Sequence, residues 1–261
     1  MLHLAKIFET MKITILCENQ VSHKGAKICL AEWGFSAYIQ TNETNILLDT
    51  GHTGIYKHNA EQLNIDLQNT HFIVLSHYHW DHVGGLQYHN FKSKKTLVFH
   101  PELIDKLPSN ESKKIKSDFE IITSDKPLEI ANGVYFLGGI PRKNKFEKGM
   151  YKDDKMLDDS AIAIKSKKGV IVISGCSHAG ICNICEYAKE VTNQKLYAVI
   201  GGFHLFEDDK KAVNGTIEYF QVEKPEYLYP MHCIDFPTLS KFHSIFGIQK
   251  LSTGDRIELS D

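Results

Sequence analysis

Four side chains that can bind a metal ion stand within one six-residue block of the sequence. His77, His79, Asp81 and His82 directly follow the apolar run 72–76, which has the composition of a buried strand. In extended backbone, residues two apart point to the same side, so His77, His79 and Asp81 would face one way and His82 another. A strand that turns into a helix here could divide the four side chains between two adjacent ions. The block therefore predicts a site for divalent metal ions, in preference to a polar surface loop that holds histidines by chance.

The ligand types in this block favour particular ions. Neutral imidazoles with a carboxylate suit zinc, manganese, iron or nickel, and the block lacks the cysteines of a thiolate-rich zinc site. Histidine is also abundant in the whole chain, at 14 of 261 residues. We expect one or two divalent ions, with zinc as the first choice.

Composition and charge exclude several classes of protein. Hydrophobic residues make up 42% and charged residues 24%, which is ordinary for a globular protein and excludes a disordered or fibrous chain. A net charge of -2 and a pI near 6.7 argue against a duplex-DNA-binding protein. No apolar run approaches the ~20 residues of a membrane span, and the N-terminus lacks the features of a secretory signal. Six cysteines at uneven spacing then indicate reduced thiols, and we expect a cytoplasmic protein.

Short apolar runs alternate with longer amphipathic stretches along the chain. This pattern predicts sheets covered by helices rather than an all-β barrel. Strands are predicted at Lys12–Cys17, Phe35–Gln40, Asn45–Asp49, Phe72–Ser76, Thr96–Phe99, Gly133–Leu137, Ala161–Lys165, Val170–Ser174, Tyr197–Ile200 and Tyr227–Tyr229. Helices are predicted at Gly54–Leu63, His178–Thr192, Asp209–Phe220 and Thr238–Phe246. Residues 1–10 are expected to be an extension before a single domain over 11–261, and the Lys-rich segment 143–155 is expected to be a mobile loop.

The metal-binding block resembles a known signature. H-Y-H-W-D-H at positions 77–82 is similar to the H-x-H-x-D-H motif of the metallo-β-lactamase superfamily. The segment 45–51 resembles the early strand whose aspartate, here Asp49, supports the metal ligands, and 229–233 resembles the segment that carries the last ligand histidine, here His232. The resemblance covers nearly the whole chain from Met11. It implies a mixed α/β fold, a four-layer αββα sandwich with the metal site at one edge of its two sheets.

Further segments resemble one branch of that superfamily, typified by 7,8-dihydropterin-6-methyl-4-(β-D-ribofuranosyl)aminobenzene 5'-phosphate synthase. The segments are 16–19, 34–37, 175–181 and 201–205. The enzyme of that branch joins a pterin-methyl diphosphate to an arylamine and releases diphosphate, in methanopterin biosynthesis. Because many relatives in the branch belong to organisms without methanopterin, the resemblance leaves the substrate open.

The superfamily motif implies a set of metal ligands. His77 and His79 would bind a first ion. The second ion would be bound by Asp81, His82 and His232.

The sequence departs from the common pattern of the superfamily in two places. The region 137–142 lacks the histidine that usually completes the first metal site, and 174–178 lacks the usual bridging aspartate. We predict that His178 supplies the missing nitrogen. Cys176 is a weaker candidate for a bridging thiolate, and a small buried residue is the favoured interpretation.

Other residues are candidates for contact with the substrate or for catalysis. His204 follows two glycines and could donate to a phosphate or act as a general acid. Arg142 offers a planar fork suited to phosphate, and the Asn19 amide follows the first strand and could reach a substrate. Asp81 could orient the nucleophile. Asp158 and Asp159 could belong either to a turn at the start of the strand 161–165, which we favour, or to the site.

Cys182 and Cys185 form a C-x-x-C pair on the helix predicted after His178. A zinc ribbon needs a second such pair, and no second pair occurs in the sequence. Packing on one face of the helix is therefore the better interpretation.

The favoured function is a metal-dependent enzyme that acts on a phosphorylated small molecule, as a hydrolase or as a pterin-methyl diphosphate transferase. The alternative is a phosphodiesterase or another ester hydrolase of the superfamily. A redox di-iron protein is less favoured, because such members carry a carboxylate at the position of His79 and typically a flavin domain. A nucleic-acid module is disfavoured by the mild acidity and the short chain. We expect no nucleic-acid or membrane partner, and a homodimer is possible.

Overall fold

The computed structural model describes residues 10–23 and 28–260, and its strands form two sheets. The first sheet has seven strands in the order β13-β1-β2-β3-β4-β5-β6. Its strands are β1 (Thr10–Cys17), β2 (Ser36–Gln40), β3 (Asn45–Leu48), β4 (Phe72–Val74), β5 (Thr96–Phe99), β6 (Glu120–Thr123) and β13 (Arg256–Ser260). The second sheet has six strands in the order β12-β11-β10-β9-β8-β7. Its strands are β7 (Leu128–Ala131), β8 (Val134–Phe136), β9 (Ala161–Lys165), β10 (Val170–Ser174), β11 (Leu196–Gly202) and β12 (Tyr227–Met231).

Helices cover the outer faces of both sheets. They are α1 (Ile55–Gln62), α2 (Trp80–Val83), α3 (Pro101–Lys106), α4 (Ser109–Asp118), α5 (Ile181–Thr192), α6 (Lys210–Glu223) and α7 (Phe236–Phe246). Within the described ranges, no helix is long and apolar enough to cross a membrane.

The two sheets share an apolar core between their inner faces. Ile13 and Val98 of the first sheet belong to the same buried cluster as Ile162 and Ile200 of the second. Each side chain of this kind contributes about 1.5–3 kcal/mol when it is fully removed from water. This burial makes the two sheets one structural unit.

The outer face of each sheet packs under helices. In β10, Ile171 and Ile173 face the shared core, whereas Val170 and Val172 face a second cluster that includes Ile184 of α5. This alternation follows from the two-residue period of a strand. Both faces of β10 are buried, which explains its continuous run of Val and Ile.

A third cluster lies on the outer face of the first sheet. It joins Leu47 of β3 to Tyr56 of α1 and Leu103 of α3. The order helix, sheet, sheet, helix confirms the predicted αββα sandwich.

Several boundaries differ from the sequence prediction for a local reason. The helix predicted from His178 begins at Ile181, because Ser177 and Gly180 have positive φ angles of 61° and 97°, which an α-helix does not accept. An aspartate caps the first turn of both α6 and α7. Asp209 accepts a hydrogen bond from the Ala212 amide, and Asp235 accepts one from the Thr238 amide. Most of the predicted extension 1–10 lies outside the described residues, and Thr10 belongs to β1.

The Lys-rich segment 143–155 is anchored at the start of α5. The carboxylate of Glu147 accepts hydrogen bonds from the amides of Cys182 and Asn183 at 2.9 and 3.0 Å. Amides in the first turn of a helix have no partner within the helix, so a buried carboxylate there both fills that need and suits the helix dipole. The segment that the sequence predicted to be a mobile loop is thus hydrogen-bonded to α5, which packs on the second sheet.

Candidate metal centre

The side chains of the centre come from strand ends that meet at one edge of the two sheets. β3 runs parallel to β4, and β10, β11 and β12 run parallel to one another, so their carboxyl ends lie on common edges. Residues that follow these ends have left-handed backbone: φ is 53° at Asp49, 48° at His204 and 51° at His232. Such conformations cost of order 1–3 kcal/mol and are concentrated at functional sites.

Asp49 orients His82 directly and His77 through Ser76. Its Oδ2 accepts from His82 Nδ1 at 2.7 Å and from the Ser76 hydroxyl at 2.7 Å, while Oδ1 accepts from the Ser76 amide. The only proton of that hydroxyl goes to Asp49, so His77 Nδ1, at 2.9 Å from Ser76 Oγ, must be a donor. In both rings the Nε2 lone pair is therefore left free to bind a metal ion.

The histidine at the end of β12 is held in a similar way. His232 Nδ1 lies 2.9 Å from Asn19 Oδ1, which accepts its proton, and Asn19 Nδ2 donates to the His232 carbonyl at 2.9 Å. The His232 amide donates to Glu18 Oε1 at 3.0 Å. The Asn19 amide is thus used at both ends to orient His232, and its contact with a substrate stays a prediction.

Buried nitrogens without a hydrogen-bond partner show that these residues fit a metal ion. His77 Nε2, His82 Nε2 and His232 Nε2, together with His178 Nδ1, are buried and unpaired. Buried polar atoms are nearly always paired, so four orphaned nitrogens at one sheet edge need a ligand that accepts lone pairs. A divalent cation has that property.

The potential ligand atoms form two groups. His77, Cys176 and His178 make up one group, and His82, Cys176 and His232 make up the other; within each group all ligand atoms lie within 4.8 Å of one another. Cys176 was favoured from the sequence as a small buried residue. It is buried, but it also lies within both groups.

Asp81 lies with the second group. Its Oδ2 is 3.3 Å from His232 Nε2 and 3.7 Å from His82 Nε2. Asp81, His82 and His232, predicted as ligands of one ion, are thus brought together by the fold.

His79 lies beside His77 and His178 of the first group. His79 Nδ1 is 3.1 Å from His178 Nε2, and the ring centres of His79 and His77 are 4.7 Å apart. The structure thus places His178 beside the histidines whose missing partner it was predicted to be.

Electrostatics keep most of these imidazoles neutral. Burial lowers the pKa of His77 and His178 well below the usual value, and nearby imidazoles lower it further. Burial also lowers the pKa of His79 and His232. A neutral imidazole is the form that binds a metal ion, so no proton has to be displaced from these rings at neutral pH.

The acidic partners act in the opposite direction on His82. Burial lowers its pKa, but the carboxylates of Asp81 and Asp49 together outweigh burial and raise it. Burial likewise raises the pKa of Asp81, yet His82 and His232 outweigh it and hold that pKa well below its usual range. The second group therefore carries a carboxylate anion that favours a cation.

Asp158 and Asp159 support the centre, although a plain turn was the favoured interpretation. Asp158 accepts from the Tyr78 amide at 2.8 Å and from Lys106 Nζ at 2.8 Å, which fixes the backbone between His77 and His79. Asp159 is fully buried, and burial raises its pKa to about 7. Sequence analysis did not identify these contacts of Asp158, because Tyr78 and Lys106 are distant from it in the chain.

Arg142 does not face the site. Its guanidinium donates to the carbonyls of Ile140, Gly149, Lys155 and Met156. Four of its five N–H donors are committed to these backbone groups, so the residue ties the 143–155 segment together, and its role in substrate binding stays a prediction.

The C-x-x-C cysteines also lie away from the site. Cys182 and Cys185 belong to the apolar cluster between α5 and the second sheet. The interpretation as packing residues is confirmed.

A cleft of about 810 Å³ opens over the metal-binding groups. Trp33, Trp80 and Tyr151 line it with aromatic surface, and Lys148 and Lys152 bring positive charge. Trp33 and Trp80 are 51% and 54% exposed, which is high for tryptophan. An exposed aromatic wall beside buried ligand atoms is typical of a small-molecule site.

His204 forms part of the inner wall of this cleft. Its ring centre is 4.3 Å from that of His178 and 5.7 Å from that of Tyr151. Burial lowers the pKa of His204 to about 4, so the ring is neutral at pH 7. This location is compatible with the predicted contact to a substrate, which stays a prediction.

Comparison with known proteins agrees with this geometry. A family model described as the metallo-beta-lactamase superfamily matches residues 34–232. An uncharacterised protein of Methanocaldococcus jannaschii is 32% identical over 254 residues, which cover 89% of this chain and 94% of that protein.

Two further relatives carry functional descriptions. The 7,8-dihydropterin-6-methyl-4-(β-D-ribofuranosyl)-aminobenzene-5'-phosphate synthase of Methanocaldococcus jannaschii is 29% identical over an alignment of 286 residues, covering 96% of this chain and 97% of that enzyme. A crystal structure described as a metal-dependent hydrolase of the β-lactamase superfamily is 27% identical, with a TM-score of 0.81 over 96% of this chain and all of that one. Since the family model spans most of the chain and the fold and ligand geometry agree with it, this protein belongs to the metallo-β-lactamase superfamily.

Proposed function

We propose that the protein is an enzyme with two divalent metal ions that acts on a phosphorylated small molecule. The observation that carries this proposal is the set of four buried, unpaired imidazole nitrogens beneath an open cleft. The hydrolase-like structure and the synthase relative support an enzymatic role for such a site. When bound, divalent ions here would activate water and polarise a phosphoryl oxygen.

The residues around the ions would position the reacting groups. Asp49 and Asn19 fix the orientation of His82 and His232 through hydrogen bonds to the ring nitrogens that face away from the ions. Fixed ligands reduce the reorganisation that the reaction would otherwise require. Asp81 Oδ2 lies near the rings of His82 and His232, and this carboxylate can orient a nucleophile.

His204 would act on the phosphate. A neutral imidazole has an N–H that can donate to a phosphoryl oxygen, whereas with a pKa of about 4 it holds no extra proton to release at pH 7. Of its two predicted roles, we therefore favour hydrogen bonding to phosphate over general-acid catalysis. Lys148 and Lys152 would add positive charge at the mouth of the cleft.

Hydrolysis and group transfer use the same kind of site, and the acceptor that enters the cleft decides between them. The aromatic wall formed by Trp33, Trp80 and Tyr151 suits a substrate with a planar ring. A ring-bearing diphosphate, of which a pterin-methyl diphosphate is one example, combines this feature with the anion that the lysines and His204 would bind. A phosphodiesterase or another ester hydrolase of the superfamily is the second candidate, and the description of the similar structure as a metal-dependent hydrolase supports hydrolysis without naming a substrate.

Metal analysis paired with a substrate panel tests the proposal. Protein purified without added metal should contain close to two divalent ions per chain, and activity should occur with phosphate monoesters, phosphodiesters or a pterin-methyl diphosphate plus arylamine. His77→Ala should lose metal and activity together, whereas His23→Ala, at an exposed position, should lose neither. Full retention of metal by His77→Ala would refute the site.

A further inference from the structure

Cys176 is the residue shared by the two groups of potential ligands. Its Sγ lies within 4.8 Å of the ligand atoms of His77 and His178, and within the same distance of those of His82 and His232. Among the residues that the structure describes, these two groups have only this member in common. A sulfur in this position can contact an ion held by either group.

The backbone around Cys176 holds the thiol in this position. Ser177 Oγ donates its only proton to the Gly202 carbonyl at 2.6 Å and accepts from the Ser174 hydroxyl at 2.8 Å, and the Cys233 thiol donates to the Cys176 carbonyl at 3.3 Å. The Gly202 amide donates to the Gly175 carbonyl at 3.0 Å. Cys176 is only 4% exposed, so its side chain has little freedom to turn away from the two groups.

The nearby carboxylates are placed differently. Asp81 lies at 3.3 and 3.7 Å from His232 Nε2 and His82 Nε2, on the side of the second group. Asp159 Oδ1 is 4.0 Å from His77 Nδ1, which is the nitrogen bonded to Ser76, so this carboxylate lies behind the ring and away from Nε2. Neither carboxylate has the central position of the thiol.

We propose that Cys176 is a metal ligand common to both sites, with its thiolate bound at once to the ion of His77 and His178 and to the ion of His82 and His232. This inference rests on the proposed function, which supplies the two ions. On binding, the S–H bond breaks, the proton passes to solvent, and two lone pairs of sulfur form two sulfur–metal bonds. No atom is oxidised or reduced.

A shared thiolate would determine which ions the site accepts. Sulfur is a soft ligand that suits zinc and cobalt, whereas magnesium, calcium and manganese prefer oxygen. With Cys176 between the ions, the protein should select zinc over manganese at both positions. Replacement of the thiol by a carboxylate should weaken that preference.

Cobalt reconstitution tests the proposal directly, because a thiolate–cobalt bond absorbs in the near ultraviolet whether or not the enzyme turns over. The wild-type protein with two equivalents of cobalt should show this band. Cys176→Ala and Cys176→Asp should both lose it, and Cys176→Asp should keep two ions while Cys176→Ala keeps one or none. Cys182→Ala is the matched control, since Cys182 is also a buried cysteine but packs in the apolar cluster of α5 and belongs to neither group, and it should keep the band.

X-ray absorption at the zinc edge of wild-type protein separates sharing from binding to a single ion, and it needs no variant. With two zinc ions per chain, a shared thiolate gives one sulfur per zinc at about 2.3 Å, whereas a thiolate on one ion gives half a sulfur per zinc. The half value, a band that survives in Cys176→Ala, or a band lost in Cys182→Ala would overturn the proposal. Wild-type protein that binds two ions without any sulfur would overturn it too, while leaving the proposed function intact. A protein that binds no ion would reject the proposed function itself.

Discussion

At the scale of single residues, the centre depends on side chains that bind no metal themselves. Asp49, Ser76 and Asn19 each occupy one ring nitrogen of a histidine and thereby leave the other nitrogen unpaired. The sequence predicted His77, His79, Asp81 and His82 from their types and spacing, whereas His232 and the need for His178 followed from the resemblance to the superfamily motif. It did not predict the role of Asn19, because that role depends on a contact across 213 positions of the chain.

The role of Asn19 can be tested by changing only its acceptor and donor. Asn19→Ala leaves His232 Nδ1 without its acceptor, so affinity for the ion of the second group should fall by about 10–100-fold. Asn19→Asp keeps an acceptor for His232 Nδ1, so its affinity for the ion should fall by less. Competition with a chelator of known affinity measures both, and Gln20→Ala, at the exposed neighbouring position, is the control. Equal affinity in Asn19→Ala and wild type would show that Asn19 does not position His232.

His204 gives the metal-free protein a defined pH dependence. Its pKa is lowered to about 4 in the folded state, while the unfolded chain has the ordinary value near 6.5. Between these values the unfolded state binds a proton that the folded state does not, so the free energy of unfolding falls as pH decreases from 6.5 to about 4. This single group contributes at most about 1.4 kcal/mol per pH unit.

The matching measurement is urea unfolding of the metal-free protein at several pH values in that range. His204→Asn removes the titrating group, and asparagine tolerates the left-handed backbone at this position, so the slope of stability against pH should become shallower. His23→Asn, at an exposed site, should keep the wild-type slope. A slope unchanged in His204→Asn would contradict the assignment.

At the scale of elements, parallel strands explain why the ligands converge. Three separate strand ends of the second sheet deliver Cys176, His204 and His232, and the first sheet delivers Asp49 and His77. All ten predicted strands exist because their apolar runs are buried. The sequence prediction missed β6, β7, β13, α3 and α4. These elements are partly or largely exposed, so burial leaves little pattern in their residues.

Close approach of the two sheets at the site requires a residue without a side chain at position 175. A Cβ on Gly175 would lie 2.1 Å from Ser76 Oγ and 2.5 Å from Asp49 Oδ2. Gly175→Ala should therefore separate Asp49 from His82 and destabilise the protein by about 1–3 kcal/mol, with a loss of bound metal. Gly139→Ala, where the nearest atom would be at 3.4 Å, is the control and should retain metal. Thermal unfolding and metal content measure both effects, and wild-type metal content in Gly175→Ala would refute this account of the contact.

At the scale of the whole molecule, the metal centre is a junction between the two sheets. The shared apolar core fixes one inner face against the other, but the ligand-bearing edge is rich in buried polar groups that contribute little apolar burial there. Sequence analysis predicted the sandwich and the edge. It named Cys176 only as a weaker candidate for a bridging thiolate, because the position of that thiol between the two ligand groups is set by the packing of one sheet on the other.

This junction makes the stability of the folded protein depend on metal concentration. Ions that bind only the folded state stabilise it by RT ln(1 + [L]/Kd), which is about 2.7 kcal/mol at a free concentration of 100 times Kd. For a chain of this size that corresponds to a rise in Tm of roughly 5–10 °C. Thermal unfolding with zinc buffered at several free concentrations should show Tm increasing with zinc and falling after chelation. His77→Ala should have a low Tm that responds weakly to zinc, because one ligand group is broken. If the Tm of wild type did not change with zinc or on chelation, zinc would not bind the folded state in preference to the unfolded chain, and the proposed dependence of stability on metal would be refuted.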